Sequence, residues 1–263
     1  MSSDTTLPQP VTAVIAERVG AFDVVRASNG HHAEFAARIL GQGHTLFVKA
    51  ARSDFGVRSL RYETQVSRAV GPPVSPAVEW HCEVSGWLVV AFEYCAGPHA
   101  DLAPGSPNLE LLAAAVDNLG RTPAPDQALF SPAARLGFEL AEMEGDTLVH
   151  TDLNATNLIV TQQGLRIADW AMAAKAAPWV ELALLVPWLI GSGHTPEQTD
   201  EWLARFSVWR TVDPAVVAAF ANRNAEKWLR KAQENPAAWK RDLAEWTGRW
   251  SAYQRGKASA TQP

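Results

Sequence analysis

Cysteine is scarce in this sequence, with 2 in 263 residues. Cys82 and Cys95 form no metal-ligand spacing, and a disulfide framework is not expected from them. Long apolar runs are missing as well. The longest, Leu182 to Ile190, is broken by Pro187 and is far too short to span a bilayer. The opening MSSDTTLPQP has neither the basic nor the apolar region of a signal peptide, so a cytoplasmic protein is expected. No Lys/Arg cluster with interleaved aromatics occurs, and the formal charge is −5, which argues against a nucleic-acid partner. That balance would suit a cationic small molecule, although it is also ordinary for a soluble protein. There is no internal repeat and no low-complexity linker, and oligomeric state leaves no trace in the sequence.

Apolar material is ample, at 47% hydrophobic residues and 11 Trp, enough for one large domain or two lobes. After a polar end, Val11 to Val19 reads as a short helix. Phe22–Ala27, Ala33–Leu40 and Thr45–Ala50 then read as a β-meander, with turns at Ser28-Asn29-Gly30-His31 and Gly41-Gln42-Gly43. Lys49 lies inside the third, apolar strand, where a charge needs a partner, a ligand or an edge from which to reach water. A helix over Gly56–Val70 contains Glu63. Val78–Val84 and Trp87–Tyr94 complete a five-stranded antiparallel sheet, and Ala96-Gly97-Pro98 breaks the pattern.

From Ser106 the signals are helical. Ser106-Pro107 starts a helix to Leu119, and Ser131-Pro132 starts one reaching Glu144, with Gly145 as its stop. Thr195-Pro196-Glu197-Gln198 is a capping box, and Asp213-Pro214 and Asn235-Pro236 open two more helices. The fold expected is α+β: a β-rich lobe over 1–95, a helical lobe over 96–256, and a disordered tail over 257–263. Trp202, Trp209, Trp228, Trp239, Trp246 and Trp250 recur through the late helices, either as core or as the lining of an amine-binding pocket.

One stretch concentrates polar chemistry among apolar runs: Leu148 to Trp170, LVHTDLNATNLIVTQQGLRIADW. Asn157–Val160 and Leu165–Ala168 read as two strands, with Gln162-Gln163-Gly164 turning between them. Such a hairpin brings Asn157 towards Asp169. An amide oxygen beside a carboxylate is a hard-oxygen site suited to Mg²⁺. Asp152 precedes Asn157 by five residues in a loop.

His-Thr-Asp-Leu-Asn-Ala-Thr-Asn followed by Ile-Ala-Asp-Trp resembles the catalytic and metal-binding loops of the protein kinase-like fold. It is closest to the aminoglycoside phosphotransferase-like family, which carries H-G-D and I-D-W. The resemblance implies a phosphotransferase using ATP, or GTP in its place, with Mg²⁺ and a small hydroxylated acceptor. An aminoglycoside-like antibiotic or another aminated metabolite is the default acceptor on this likeness. It further implies Asp152 as the residue that orients or deprotonates the acceptor hydroxyl, Asn157 and Asp169 as metal ligands, and His150 as a brace. Lys49 would pair with phosphate and Glu63, and the turn carrying Ser28 and Gly30 would cover the phosphates, although it holds one glycine where the nucleotide loop of protein kinases has three. The backbone of Glu93, Tyr94 and Cys95 would meet the adenine edge. Glu181 stands where the family often has Asp, and would bond helix N-terminal N–H groups or brace the catalytic loop. The segment after Asp169 is short and lacks A-P-E, which disfavours a peptide acceptor. A catalytically silent, nucleotide-binding pseudokinase or scaffold is the rival.

Overall fold

A computed structural model describes residues 7–27, 33–126 and 129–260 of the chain. It divides into two compact units, Met1–Gly97 with Arg166–Ala171, and Pro98–Leu165 with Met172–Pro263.

The first unit holds α1 (Gln9–Val19), β1 (Asp23–Arg26), β2 (Phe35–Leu40), β3 (Thr45–Ala51), α2 (Asp54–Val70), β4 (Val78–Val84) and β5 (Trp87–Glu93). The strands form one antiparallel sheet in the order β1-β2-β3-β5-β4. The expected five strands are therefore all present, and β3 is central, not an edge. Period-2 alternation splits β3 between two cores. Leu46, Val48 and Ala50 join Val11, Ile15 and Val19 of α1 on one face. Phe47 and Ala51 pack with Leu60 of α2 and with Val90 and Phe92 on the other. Lys49 falls on the α2 face by the same parity.

α2 starts where Ser53 Oγ accepts the Gly56 N–H at 3.1 Å. The Glu34 carboxylate takes the preceding N–H groups of Arg52 and Ser53 at 3.0 and 2.9 Å. A Cβ on Gly56 would lie 2.8 Å from that carboxylate, so the glycine is what lets Glu34 seat. The buried residues Leu60, Glu63, Thr64 and Ser67 recur at helical spacing, which turns Glu63 inward. The returning segment is tied to this unit by Ile167 N–H to Val74 O at 2.8 Å and by Trp170 Nε1–H to Ile167 O at 2.9 Å, with the Trp170 ring fully buried.

The second unit is mainly helical: α3 (Asn108–Leu119), α4 (Pro132–Leu136), α5 (Trp179–Gly191), α6 (Pro196–Leu203), α7 (Ser207–Thr211), α8 (Pro214–Glu234) and α9 (Ala238–Ala260). β6 (Thr147–Val149) pairs with β9 (Ala174–Ala176). β7 (Leu158–Thr161) and β8 (Gly164–Ile167) form the hairpin, its turn at Gln162-Gln163, with Gly164 at φ 114° opening the second strand. The capping box at Thr195 and Gln198 forms as the sequence predicts. The helix expected to reach Glu144 does not: α4 stops at Gly137, which takes φ 74° and donates its N–H to Ala133 O at 2.9 Å. Glycine in that conformation ends a helix eight residues before the stop read from the sequence. Gly145 has a different duty, since a Cβ there would meet the Ala177 backbone at 2.6 Å. α9 runs on to Ala260, past the start of the expected tail.

α5 is apolar almost all round and buried along its length, the pattern of a helix at the centre of a bundle. Trp179 of α5 meets Phe220 of α8 at 5.3 Å, and Phe220 meets Trp250 of α9 at 6.3 Å, both edge-on. Of the six late indoles, Trp202, Trp209 and Trp250 are buried, whereas Trp239 is 46% exposed. Half of that aromatic wealth is core.

Candidate active site

In the first unit, strand parity and helix periodicity bring Lys49 to Glu63, Nζ to Oε1 at 2.7 Å. Asp169, 120 residues further on, closes the cluster at 3.0 Å. Lys49 is desolvated, which alone would lower its pKa, but the Asp169 and Glu63 carboxylates outweigh burial and raise it. The ammonium stays charged. Burial pushes the Glu63 carboxyl up, to about 7; the Lys49 charge opposes this and the Asp169 charge adds to it. Glu63 Oε2 is sealed from solvent with no hydrogen-bond partner among the described residues. The Asp169 side chain keeps 26% exposure, so one carboxylate of the cluster is open to a ligand. Asp169 also sits at φ 65°, a conformation that Asp tolerates better than most residues.

Three further positions expected to meet nucleotide lie in the same unit. The Glu93 N–H is bonded to Ala77 O at 2.8 Å, and its carboxylate accepts the Ala77 N–H and faces Arg166. That N–H is therefore engaged within the sheet. The Tyr94 hydroxyl accepts from Arg38 at 3.1 Å. The buried Cys95 thiol is pushed up to about 11 by burial and the Glu93 charge, which makes it an inert apolar group. Ser28, Gly30, His31 and His32 lie outside the described residues.

The second unit holds the loop between β6 and β7. Asp152 is gripped on both carboxylate oxygens: Asn154 Nδ2 donates to Oδ1 at 3.1 Å and Asn157 Nδ2 to Oδ2 at 3.3 Å. Asn157 Nδ2 also donates to the Asp152 carbonyl at 2.9 Å, which leaves its amide oxygen without a bond to the described residues. The Asp152 N–H donates to Nδ1 of the fully buried His150 at 3.3 Å, so that ring nitrogen is the acceptor. Asn154 caps the turn ahead of Asn157 by accepting the Thr156 N–H at 2.9 Å. Sequence reasoning passed over Asn154, although Asn two residues before Thr is a visible Asx-turn signal.

Glu181, in the first turn of α5, accepts the backbone N–H groups of His150 and Thr151. It braces the loop as expected. Its carboxyl is raised to about 7 by burial, against the pull of those two N–H groups and with the Asp152 charge adding to the rise. Thr151 lies at φ 68°, strained for a β-branched residue, and is held there by its Oγ1–H bond to Met172 O at 2.8 Å. The H-G-D pattern puts glycine at this position, where that conformation costs nothing. Glu181→Ala would orphan a buried N–H and release the strained turn. A loss of about 2–4 kcal/mol is expected, which lowers the melting temperature by roughly 5–10 °C. Differential scanning calorimetry decides it, and an unchanged transition would show that water replaces the carboxylate.

Two carboxylates of the second unit that could meet a cationic ligand are already engaged. Asp200 binds Lys257 at 2.5 Å, and Glu226 accepts from Asn222 at 2.8 Å. Among the described residues no group of three or more His, Cys, Asp or Glu could hold a metal. No helix among them is long and apolar enough to cross a membrane.

No protein-family model and no curated protein matches the sequence. Solved structures do match. An aminoglycoside phosphotransferase, a thermostable mutant of APH(4)-Ia in ternary complex with AMP-PNP and hygromycin B, is 16% identical with a TM-score of 0.65, covering 95% of this chain and 99% of its own. The spectinomycin phosphotransferase APH(9)-Ia, in complex with ADP and spectinomycin, is 11% identical with a TM-score of 0.60, covering 95% of both chains. A microcompartment-associated aminopropanol kinase is 13% identical with a TM-score of 0.63, covering 95% of this chain and 97% of its own. With its five-stranded antiparallel sheet and helical second unit, the chain has the α+β, two-lobed kinase-like fold of the aminoglycoside phosphotransferases and related small-molecule kinases.

Proposed function

We propose that the protein transfers a phosphoryl group from ATP to a hydroxyl of a small molecule, with Mg²⁺. The observation that carries this reading is the meeting of Lys49, Glu63 and Asp169. An ammonium taken out of water between two carboxylates is a poor device for stability, because apolar residues would serve as well. It is a good device for presenting a fixed positive charge to phosphate.

The donor set fits a hard cation. Asp169 offers a part-exposed carboxylate and Asn157 a free amide oxygen, and Mg²⁺ typically takes one or two such ligands beside phosphate and water. Held by these two groups, Mg²⁺ would supply positive charge that offsets the charge of the nucleotide phosphates. Lys49 contributes the second positive charge, and Glu63 fixes its direction. Asp152 accepts the proton of the acceptor hydroxyl and aims its oxygen, while the Asn154 and Asn157 amides hold the carboxylate plane. The backbone at Tyr94 and Cys95, with the Glu93 carbonyl, takes the adenine edge.

A small acceptor follows from the chain after Asp169. One short turn over Trp170–Met172 and the three residues of β9 lead directly to α5 at Trp179, with no segment long enough to dock a peptide. The related structures hold small molecules beside the nucleotide, hygromycin B in one and spectinomycin in another.

Asp169→Ala is expected to weaken Mg²⁺-dependent nucleotide binding at least about tenfold, with little further loss when EDTA is added. Titration calorimetry with ADP, with and without Mg²⁺, reads both. Binding that keeps its full Mg²⁺ dependence would remove Asp169 from the metal site.

A further inference from the structure

α8 carries a buried cation that the phosphotransfer reading does not use. Lys227 is 6% exposed and makes no hydrogen bond or ion pair with any described residue. Its charged neighbours are Lys231, one turn on, and Asp152 of the catalytic loop, whose carboxylate acts on it electrostatically. One turn before it, on the same face, Asn224 is 1% exposed and neither polar atom of its side chain has a hydrogen-bond partner among the described residues. Two unpartnered polar groups on one buried face are expensive unless something binds them.

Around Lys227 the surface is cationic and aromatic. Lys227 and Lys231 each place Nζ 5.0 Å from the Trp228 ring. Lys240 lies 5.5 Å over Trp239, and the two indoles meet edge-on at 5.7 Å. This is the reverse of what a polycationic acceptor requires. Aromatic rings could hold an amine, but three lysine amines already occupy those faces.

Given phosphotransfer, on which this inference rests, we propose that the acceptor is an anion. It is a small hydroxylated molecule whose carboxylate or phosphate group is held by Lys227, with its hydroxyl presented to Asp152. Lys231 and Lys240 draw the anion in, and the exposed indole of Trp239 flanks its body. Asp152 then needs no help in repelling the wrong end of such a molecule, because like charges set its orientation. Burial first, and then Lys231, bring the Lys227 pKa down to about 7, with Asp152 opposing, and an arriving anion restores its charge.

The test uses the full chain and trinitrobenzenesulfonate, an aromatic anion that reacts with neutral amines. Modified lysines are mapped by peptide mass spectrometry at pH 7. Lys227 is expected to react first, with saturation, and inorganic phosphate should slow it about tenfold, the size of one charge-assisted contact, while kanamycin leaves it unchanged. Lys227→Met should raise the phosphate concentration that protects Lys231 by about tenfold and raise the melting temperature, because a desolvated charge is gone. A Lys227 no faster than the exposed Lys175, protection by kanamycin and not phosphate, or a Lys227→Met protein that loses stability with phosphate protection unchanged would each overturn the proposal. Mg²⁺-ATP binding, followed in the same samples, reports on phosphotransfer separately: its absence defeats that reading whatever the lysines show.

Discussion

Asp152→Asn is expected to cut phosphoryl transfer by roughly 10²–10⁴-fold while leaving Mg²⁺-nucleotide affinity unchanged. The substitution keeps the side chain's shape, so the loop has little reason to move. The Asp152 N–H still reaches His150, and Glu181 still holds the two N–H groups before it. What changes is the group offered to the acceptor. An Asn cannot take the hydroxyl proton, and one of its two polar atoms becomes a donor facing the donating amide of Asn154 or Asn157. Initial rates from coupled ADP release, set beside calorimetric nucleotide titrations, separate the two quantities. A mutant as active as the wild type would remove Asp152 from proton transfer. A mutant that lost nucleotide binding as well would make it a structural residue of the loop.

Local patterns carried most of the fold. Alternation along β3, the inward register of Glu63 and the capping box at Thr195 are each decided within a turn or two of chain, and each is readable there. Where two local signals competed, the reading failed. Both Gly137 and Gly145 can end a helix, and the choice fell to Gly137 because Gly145 is needed for the close approach of Ala177. The motif containing Asp152 and Asn157 stood out, but the strain at Thr151 did not, since φ follows from tertiary restraints at Glu181 and Met172. Lys227 was the least visible of all. A lysine in an amphipathic helix reads as a solvated one, and only the packing of α8 in its unit takes it out of water.

Lys49→Met should be the most destabilising single change in the first unit. Glu63 would keep a buried carboxyl whose second oxygen lacks a partner among the described residues, and would lose the cation it pairs with. Breaking a buried pair from one side costs about 3–5 kcal/mol, or roughly 10 °C in the melting transition. The loss should depend on pH. Without Lys49 the folded-state pKa of Glu63 rises further above that of the unfolded chain, so the folded state binds the extra proton. Stability is then greatest below the ordinary carboxyl range and falls as pH rises through the folded value. The mutant should therefore melt higher at pH 5 than at pH 8 by more than the wild type does. Lys49→Met/Glu63→Leu removes both charges and should recover most of the stability together with its ordinary pH dependence. It should not recover nucleotide binding, because the ammonium that meets phosphate is still gone. Calorimetry at two pH values and ADP titration of both variants decide the matter. A double mutant that regained binding along with stability would mean that the pair serves only the packing of α2 against β3. Recovery of stability alone assigns the charge to the ligand.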